Sequence, residues 1–360
     1  MLWREKVRAD HIMQEWTPPD VLSKYFAGGI CGYDREGCPV YIVPAALIDM
    51  KGLVLSAKKA DILKYDCYIH EMLRVEFKQQ SQKFGHLIDK VTLVIDLENF
   101  SMKHLLMPGM DVLLQMMGQT EANYPETLKT CYVVNAPMIF PLIYKACKPF
   151  MSDDTKKKIV ILGPNWKEKL QEEIDPGQLP QHWGGTATDP DGDVYCRSKV
   201  CMGGEIPDSF HIKPEDLVDK DSITILTIPR SSTRDIEFEV KEIGKVLRWV
   251  FWSEGYDIKF KVSFRVNNSV EPETLKPLKR IECHLVPEDG ILECLNTGTY
   301  ILTFDNTYSW LQTKKVFYSV ELLDSVLSPN ENGDTLLDAT PTPSKNGDAD
   351  LCDATSDLKL

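Results

Sequence analysis

The chain lacks the long apolar runs and paired cysteines that mark several common protein classes. No stretch of its 360 residues reaches the roughly 20 consecutive apolar residues that a membrane-spanning helix needs. The first six residues are too charged to lead directly into a signal-peptide core. Its ten cysteines include no Cys-x-x-Cys pair of the kind that zinc sites use. These features predict a cytoplasmic protein whose cysteines are free, buried thiols.

Motifs of common enzymes are also missing. The sequence has no Gly-x-Ser-x-Gly elbow, no His-Glu-x-x-His helix, no Walker loop and no Gly-x-Gly-x-x-Gly after a strand. Asp96 follows an apolar run, where α/β enzymes often carry a catalytic acid. With no partner motif beside it, Asp96 is interpreted as a structural hydrogen-bonding carboxylate, and we expect no enzyme activity. His104 and His182 are interpreted as packed or surface residues, and no metal site is predicted.

The charge balance is acidic. The chain has 54 acidic and 41 basic residues, giving a net charge of -13. This disfavours nucleic acid as a partner and a standing attraction to anionic lipid surfaces, although a local basic patch stays open. Residues 324–360 are rich in Asn, Asp, Ser, Thr and Pro, which predicts a disordered acidic tail. Its two Thr-Pro steps, at Thr340 and Thr342, are either phosphorylation sites or part of a plain solvated tail.

The first half of the chain predicts an α/β fold with a mainly parallel sheet. Apolar runs rich in Val and Ile alternate with helical stretches, and their near-continuous apolarity indicates strands buried on both faces. Strands are predicted at 39–44, 91–97, 131–136 and 159–162, and helices at about 57–84 and 109–117. Gly28, Gly29 and Gly32 precede the first of these strands and are interpreted as turn glycines.

The second half changes to a strand period of two. Between 256 and 266 the apolar residues alternate with Lys, Ser and Arg, which indicates a half-buried antiparallel strand. The predicted buried face consists of Tyr256, Ile258, Phe260, Val262, Phe264 and Val266. Similar alternation at 236–240, 300–304 and 316–322 predicts a β-sandwich.

Residues 136–151 form an unusually apolar segment that contains three prolines. Its first turns have almost no polar face, and Pro149 indicates where the regular helix ends. Two interpretations stay open. The segment is either an ordinary buried helix or a lid over an apolar cavity that also dips into a membrane interface, with Lys145 and Lys148 meeting phosphates.

Two sets of motifs resemble known domains. The first set resembles the CRAL-TRIO domain of the phosphatidylinositol/phosphatidylcholine transfer proteins. It consists of Asn123-Tyr-Pro-Glu126, Val134-Asn-Ala-Pro137, Lys148-Pro-Phe150, Lys158-Ile-Val-Ile-Leu-Gly163 and Leu179-Pro-Gln-His-Trp-Gly-Gly185. The second set resembles the GOLD domain. It consists of Leu247-Arg-Trp-Val-Phe251, Tyr256-Asp-Ile-Lys-Phe260, His284-Leu-Val-Pro-Glu-Asp-Gly290 and the run from Gly298 to Trp310.

The resemblance implies a hydrophobic lipid pocket closed by a mobile gate helix at about 137–150. Its gate and pocket candidates are Met138, Ile139, Phe140, Leu142, Ile143, Tyr144 and Phe150. The family's headgroup contacts match Glu126 and Lys158, and Ser101 lies where a hydroxyl contacts another lipid headgroup. The Glu126 carboxylate can accept hydrogen bonds from sugar hydroxyls, and the Lys158 ammonium can pair with a phosphate. The alternative is that the two residues form a surface salt bridge or are separate solvated charges.

The resemblance also divides the chain. Residues 1–15 are a remnant of the family's N-terminal helices, which carry an Arg-containing headgroup contact absent here. A truncated gene model or a splice form is one explanation. The other parts are the CRAL-TRIO domain at 16–191, a linker at 192–215, the GOLD sandwich at 216–323 and the tail.

The expected function is carriage of a hydrophobic lipid between membranes, with transient membrane contact and a protein partner for the sandwich. The ligand is tocopherol, squalene or another isoprenoid, or phosphatidylinositol or phosphatidylcholine, and no cofactor beyond this lipid is expected. Two alternatives remain, a lipid-sensing adaptor that recruits partners through the sandwich and, behind it, an α/β enzyme using Asp96.

Overall fold

The computed structural model describes residues 2–101, 104, 107–214, 217–266 and 271–324. The predicted tail, with Thr340 and Thr342, lies outside the described residues except for Asp324 at its start. No helix in the described part of the chain combines the length and apolar character that crossing a bilayer requires. The nine cysteines described are all unpaired, eight of them buried, as the sequence predicts.

The first half forms a five-stranded sheet in the order β1-β2-β3-β4-β5. Its strands are β1 (Gly29–Tyr33), β2 (Pro39–Pro44), β3 (Val91–Asp96), β4 (Leu128–Val134) and β5 (Ile159–Ile161). β1 pairs with β2 in the antiparallel sense, and every other neighbouring pair is parallel. The predicted mainly parallel α/β sheet is therefore confirmed.

Six helices accompany this sheet after its first hairpin. They are α4 (Met50–Ser56), α5 (Lys59–Phe84), α6 (Met107–Asn123), α7 (Phe140–Cys147), α8 (Asp153–Lys157) and α9 (Trp166–Glu173). One face of the sheet packs on α5, through a buried cluster that includes Tyr41, Leu73 and Phe77. The opposite face packs on α9, through a cluster that includes Val94 and Leu170.

The glycines of β1 have a different role from the predicted turn. Gly29 and Gly32 lie inside the strand, where the backbone of a later segment crosses closely. A Cβ on Gly29 would lie 2.1 Å from the carbonyl oxygen of Lys199, and one on Gly32 would lie 2.3 Å from that of Gln178. The turn interpretation is therefore wrong, since these positions need glycine because two backbones meet there.

The segment predicted as a linker at 192–215 is packed against the α/β half. Cys196, Val200 and Ile206 are buried, and Gly28 and Cys201 form a β-bridge. Apolar side chains separated by glycines and charges allow this segment to cover the sheet. Composition alone marks such a stretch as a connector and does not indicate this packing.

Three short helices precede the sheet, namely α1 (Leu2–Lys6), α2 (Ile12–Glu15) and α3 (Asp20–Tyr25). Val7 and Ile12 are buried against Cys67 of α5 and against Tyr124. The Arg4 guanidinium donates to Glu71 Oε1 at 2.8 Å, and Tyr124 Oη donates to the same oxygen at 2.8 Å. The first residues therefore form part of the α/β core.

The second half consists of two four-stranded antiparallel sheets, in the orders β10-β9-β12-β7 and β11-β8-β13-β6. The strands are β6 (Thr224–Ile228), β7 (Thr233–Val240), β8 (Lys245–Ser253), β9 (Ile258–Arg265), β10 (Glu273–Ile281), β11 (Glu288–Cys294), β12 (Gly298–Asp305) and β13 (Lys314–Asp324). One buried cluster joins both sheets, through residues such as Trp249 and Phe251 of one and Phe260 and Phe304 of the other. This arrangement agrees with the predicted sandwich.

The ends of the alternating run at 256–266 depart from the prediction. Ile258, Phe260, Val262 and Phe264 are buried as predicted. Tyr256 and Val266 are exposed, because β9 begins after the first of them and ends before the second.

Charged residues of the two halves contact each other. Lys59 at the start of α5 lies 3.0 Å from Asp111 of α6, and Lys279 of β10 forms an ion pair with the same carboxylate. Val286 packs against the apolar cluster of α3 and α4. Burial raises the pKa of Glu288 and Asp289 in β11, which lie beside these charges.

Candidate functional site

The α5 face of the central sheet is incompletely packed. In β3, Thr92, Val94 and Asp96 are 2%, 0% and 4% exposed, whereas Leu93 and Ile95, which point to the α5 face, are only partly buried. A middle strand of a parallel sheet is normally buried on both faces. Leu93 and Ile95 therefore leave some apolar surface uncovered at the centre of this sheet.

The α7 segment, residues 137–150, lies over that face. Phe140 packs against the cluster that contains Cys131 and Val133, with Leu93 and Ile95 at its edge. The regular helix covers Phe140–Cys147 and continues as a short 3-10 turn at Lys148–Phe150, so it begins three residues later than the predicted gate.

The apolar side chains of this segment are poorly covered. None of the seven predicted gate and pocket residues is buried, and Met138 is fully exposed. In α7 itself only Cys147 is buried. An ordinary core helix with so many apolar residues would bury most of them. The segment is therefore only partly buried in this structure, and the lid interpretation stays a prediction.

The end of the α7 segment is held by one carboxylate. Glu121 of α6 accepts hydrogen bonds from Ser152 N at 3.1 Å and from Thr155 Oγ1 at 2.9 Å. Ser152 also caps α8, where its side chain accepts from Thr155 N. The segment is therefore anchored after Phe150, while Met138 near its start is fully exposed. Sequence reasoning did not single out Glu121, because no local spacing links it to Ser152.

The three predicted headgroup residues do not form one cluster. Glu126 and Lys158 precede β4 and β5, at the edge where these parallel strands begin. Glu126 is exposed, Lys158 is partly buried, and neither forms an ion pair with another described residue. The salt-bridge alternative for the pair therefore finds no support among the described residues.

Ser101 follows β3 and so lies beyond the opposite edge of the sheet. Its backbone N–H donates to His104 Nδ1 at 2.9 Å, and its hydroxyl lies 3.4 Å from the same nitrogen. The imidazole of His104 stacks on Phe100, with ring centroids 4.7 Å apart. A local turn thus engages the Ser101 side chain.

Asp96 is a structural carboxylate, as the sequence predicts. Its Oδ1 accepts hydrogen bonds from Glu98 N at 2.9 Å and from Asn135 Nδ2 at 2.8 Å, and its Oδ2 accepts from Trp183 Nε1 at 3.0 Å. Three donors offset the cost of burying the charge. Asp96 thereby fixes the ends of β3 and β4 against the segment that follows α9.

His182 lies beside this carboxylate, a contact that sequence spacing did not show. Its Nε2 is 4.0 Å from Asp96 Oδ2 and 3.9 Å from Glu98 Oε2. Burial lowers the pKa of His182, while the two carboxylates act in the opposite direction. The neutral imidazole is therefore favoured near pH 7.

A cavity of about 150 Å³ adjoins these groups. Its lining includes Asp96, Glu98, His182, Trp183, Tyr195 and Met202. The ligand atoms of Asp96, Glu98 and His182 lie within 4.8 Å of one another, which is a spacing that a metal ion can bridge. Because Asp96 is already bonded to three donors, the geometry fits a structural network better than a metal centre.

Comparison with known proteins supports the α/β assignment. Residues 23–185 match the family model of the CRAL/TRIO domain. The chain is 27% identical over 320 residues to Protein ctg-1 of Caenorhabditis elegans, covering 87% of this chain and 82% of that protein. It is also similar to the crystal structure of Sfh5, at 21% identity and a TM-score of 0.44, covering 57% of this chain and 68% of that one. The matched segment contains β1 to β5 and α4 to α9. Residues 23–185, a little less than half of the chain, are therefore similar to the CRAL/TRIO domain.

Proposed function

We propose that this protein binds a hydrophobic lipid between the α5 face of the sheet and the α7 segment, and carries it between membranes. CRAL/TRIO domains bind lipophilic ligands. The observation that carries the proposal is the pairing of partly buried Leu93 and Ile95 on a central strand with an apolar helix above them that buries only Cys147. Ile69 and Met72 of α5, both partly buried, extend the apolar wall.

The mechanism is physical and involves no bond chemistry. Moving a lipid tail from water into an apolar cavity gains about 25 cal/mol per Å² of apolar area removed from water. A bilayer offers the same environment, so the lipid exchanges when α7 opens at the membrane. Exposed Met138 suits insertion into the interface, and Lys145 and Lys148 are exposed where they can meet phosphates.

The headgroup residues are proposed separately for each lipid class. Lys158 would meet a phosphate and Glu126 would accept sugar hydroxyls of an inositol lipid, since neither side chain forms an ion pair with a described residue. Ser101 would contact a different headgroup at the opposite edge of the sheet. Binding of tocopherol, squalene or another isoprenoid needs neither the contacts of Lys158 and Glu126 nor that of Ser101.

The C-terminal sandwich is proposed to be a GOLD domain. Its supports are the motifs named above and two four-stranded antiparallel sheets with one shared core. The domain order and the segment Gly203-Gly-Glu-Ile-Pro207 are similar to those of the tocopherol-associated protein, also called supernatant protein factor. A cytoplasmic protein that associates reversibly with intracellular membranes fits this arrangement.

The test is movement of a fluorescent lipid between donor and acceptor vesicles. Phe140→Asp should abolish transfer, because it places a charge on the sheet-facing side of the gate segment. Leu87→Asp is the matched control, since Leu87 is 78% exposed between α5 and β3 and should transfer lipid normally. Transfer by Phe140→Asp at the normal rate would contradict the proposal.

The same transfer assay, run on the unmodified chain, tests the adaptor alternative. A lipid-sensing adaptor would show no net transfer even with the unmodified sequence. Recovery of chemically altered lipid after incubation would instead indicate an enzyme.

A further inference from the structure

One end of the sandwich presents two large apolar side chains to solvent. Trp310 and Leu311 are neighbours in the connection between β12 and β13, and they are 82% and 83% exposed. Scattered single apolar residues are ordinary on protein surfaces, whereas an adjacent Trp-Leu pair at a loop tip exposes apolar area at one protruding point.

The loop that carries this pair is held firmly in place. Asn306 is fully buried, and its Nδ2 donates to the carbonyl oxygens of Ile228, Pro229 and Gln312 at 3.2, 3.1 and 2.9 Å. Ser231 N also donates to Asn306 O and Ser309 O. The β6–β7 turn thus braces the β12–β13 loop. Trp310 and Leu311 are therefore presented to solvent on a fixed support.

Positive charge surrounds the base of the loop. The Tyr308 ring has the charged groups of Lys259, Arg280 and Lys314 at 5.1, 4.9 and 4.1 Å from its centroid. Asp257 is the carboxylate that Arg280 and Lys314 share. It lies 3.1 Å from Lys314 Nζ, pairs with Arg280 and accepts from Tyr308 Oη at 2.9 Å. Three cations around the Tyr308 ring, with one carboxylate beside them, leave an excess of positive charge next to the apolar pair.

The excess extends over the whole end of the sandwich, which we call the basic tip and define as residues 229–234, 254–259, 305–315 and Arg280. It contains six basic side chains, those of Arg230, Arg234, Lys259, Arg280, Lys314 and Lys315. It contains three acidic ones, those of Glu254, Asp257 and Asp305. The chain as a whole has a net charge of -13. The basic tip is therefore a local reversal of the protein's overall charge.

We propose that the basic tip docks on anionic lipid membranes, with Trp310 and Leu311 entering the interface while Arg230, Arg234 and Lys259 meet lipid phosphates. An indole prefers the boundary between headgroups and acyl chains, because one edge of it is polar and its body is apolar. Basic residues near the surface add attraction to anionic lipids that falls off within a Debye length.

A membrane fits this shape better than a protein does. A stable protein interface buries about 800 Å² on each partner over a broad patch. The tip offers instead two protruding side chains with cations behind them, and a deformable interface accepts these without a matching pocket. This docking goes beyond lipid carriage and does not depend on it, since the sandwich would bind vesicles whether or not the α/β half holds a lipid.

The experiment is co-sedimentation of the full chain with vesicles of phosphatidylcholine alone or mixed with phosphatidylserine. We expect binding to the mixed vesicles that weakens as salt is raised. Trp310→Ser combined with Leu311→Ser should reduce the partition coefficient at least about tenfold, because both apolar anchors are lost. Lys259→Glu with Arg230→Glu should remove the preference for phosphatidylserine.

Leu295→Ser is the matched control. Leu295 is 66% exposed in the turn before β12, at the opposite end of the strand that leads to the tip, and the change should leave binding unaltered. Equal binding by the tip variants and the unmodified chain would overturn the proposal, as would binding that is insensitive to phosphatidylserine. Loss of binding in the Leu295 variant would overturn it as well.

The docking and carriage proposals fail separately. Phe140→Asp should stop lipid transfer while vesicle binding through the tip remains. If that variant binds vesicles and the tip variant does not, docking stands whatever the transfer assay shows. If neither change affects binding, docking fails while carriage is still tested by transfer.

Discussion

Trp183 and Asp96 are joined by a hydrogen bond from the indole Nε1 to Oδ2, 3.0 Å long and fully buried. The bond ties the segment after α9 to the end of β3 across 87 positions of sequence. Trp183→Phe keeps an aromatic ring but leaves Asp96 Oδ2 without its donor. We expect the free energy of unfolding to fall by about 1–3 kcal/mol, which is the usual cost of an unsatisfied buried acceptor.

Urea unfolding followed by far-ultraviolet circular dichroism measures this change. Trp310→Phe is the control, because an 82% exposed side chain should change the free energy by less than about 0.5 kcal/mol. Equal midpoints for both variants would show that the bond contributes nothing to stability.

We expect the free energy of unfolding to depend on pH through His182. Burial lowers the pKa of His182 in the folded protein below its unfolded value of about 6.5, despite the opposing effect of Asp96 and Glu98. The folded state therefore binds this proton less readily than the unfolded state does. Its contribution to stability is complete above the unfolded pKa and is lost as pH falls towards the folded pKa.

Unfolding measured between about pH 7.5 and pH 5 tests this dependence, because that window spans the unfolded value. Replacement by glutamine, His182→Gln, should flatten the decline in the free energy of unfolding relative to the unmodified chain. A variant whose stability declines as steeply as that of the parent would rule out His182 as a source.

Glu121 holds the C-terminal end of the α7 segment in place. Glu121→Ala removes the acceptor of Ser152 N and Thr155 Oγ1. Two hydrogen bonds of about 1 kcal/mol each are lost, so we expect bound lipid to leave up to about thirtyfold faster. Release of a fluorescent lipid into excess vesicles measures the rate. Asp153→Ala is the control, because it breaks only an exposed ion pair with Lys156, and an equal acceleration there would contradict the role of Glu121.

Lys158 and Glu126 are expected to select the lipid class. Lys158→Glu should lower the retention of phosphatidylinositol about tenfold, because it places a negative charge beside a phosphate, and leave tocopherol retention unchanged. Lipid competition followed by extraction measures both. The control is Lys157→Glu, whose side chain is exposed and paired with Asp154 at 2.9 Å. If both changes reduce phosphatidylinositol equally, Lys158 has no specific role.

Much of the architecture could be predicted from sequence because burial leaves a local pattern. Runs of Val and Ile marked β2 to β5, and strict alternation marked β9, β12 and β13. The predicted strand is longer than β9, because the apolar alternation continues beyond the paired residues. Tyr256 and Val266 fit the alternation and yet lie outside β9.

The candidate site was harder to predict from the sequence, because its contacts join residues that are far apart in the chain. The approach of His182 to Asp96 and the hold of Glu121 on Ser152 depend on sheet order and helix placement, and no local motif encodes either. The packing of Val200 against the sheet was hidden by a glycine-rich and charged context that indicates a linker. The apolar character of α7 was visible in sequence, whereas its exposure was not.

The central claim is that the α/β half, which resembles the CRAL/TRIO domain, holds a lipid between the sheet and α7. Native mass spectrometry of the purified full chain, followed by extraction and identification of what is released, tests it most directly. We predict one lipid molecule per chain, lost in Phe140→Asp and kept in Leu87→Asp. A folded protein that carries no lipid, and takes none up from vesicles, would contradict the account.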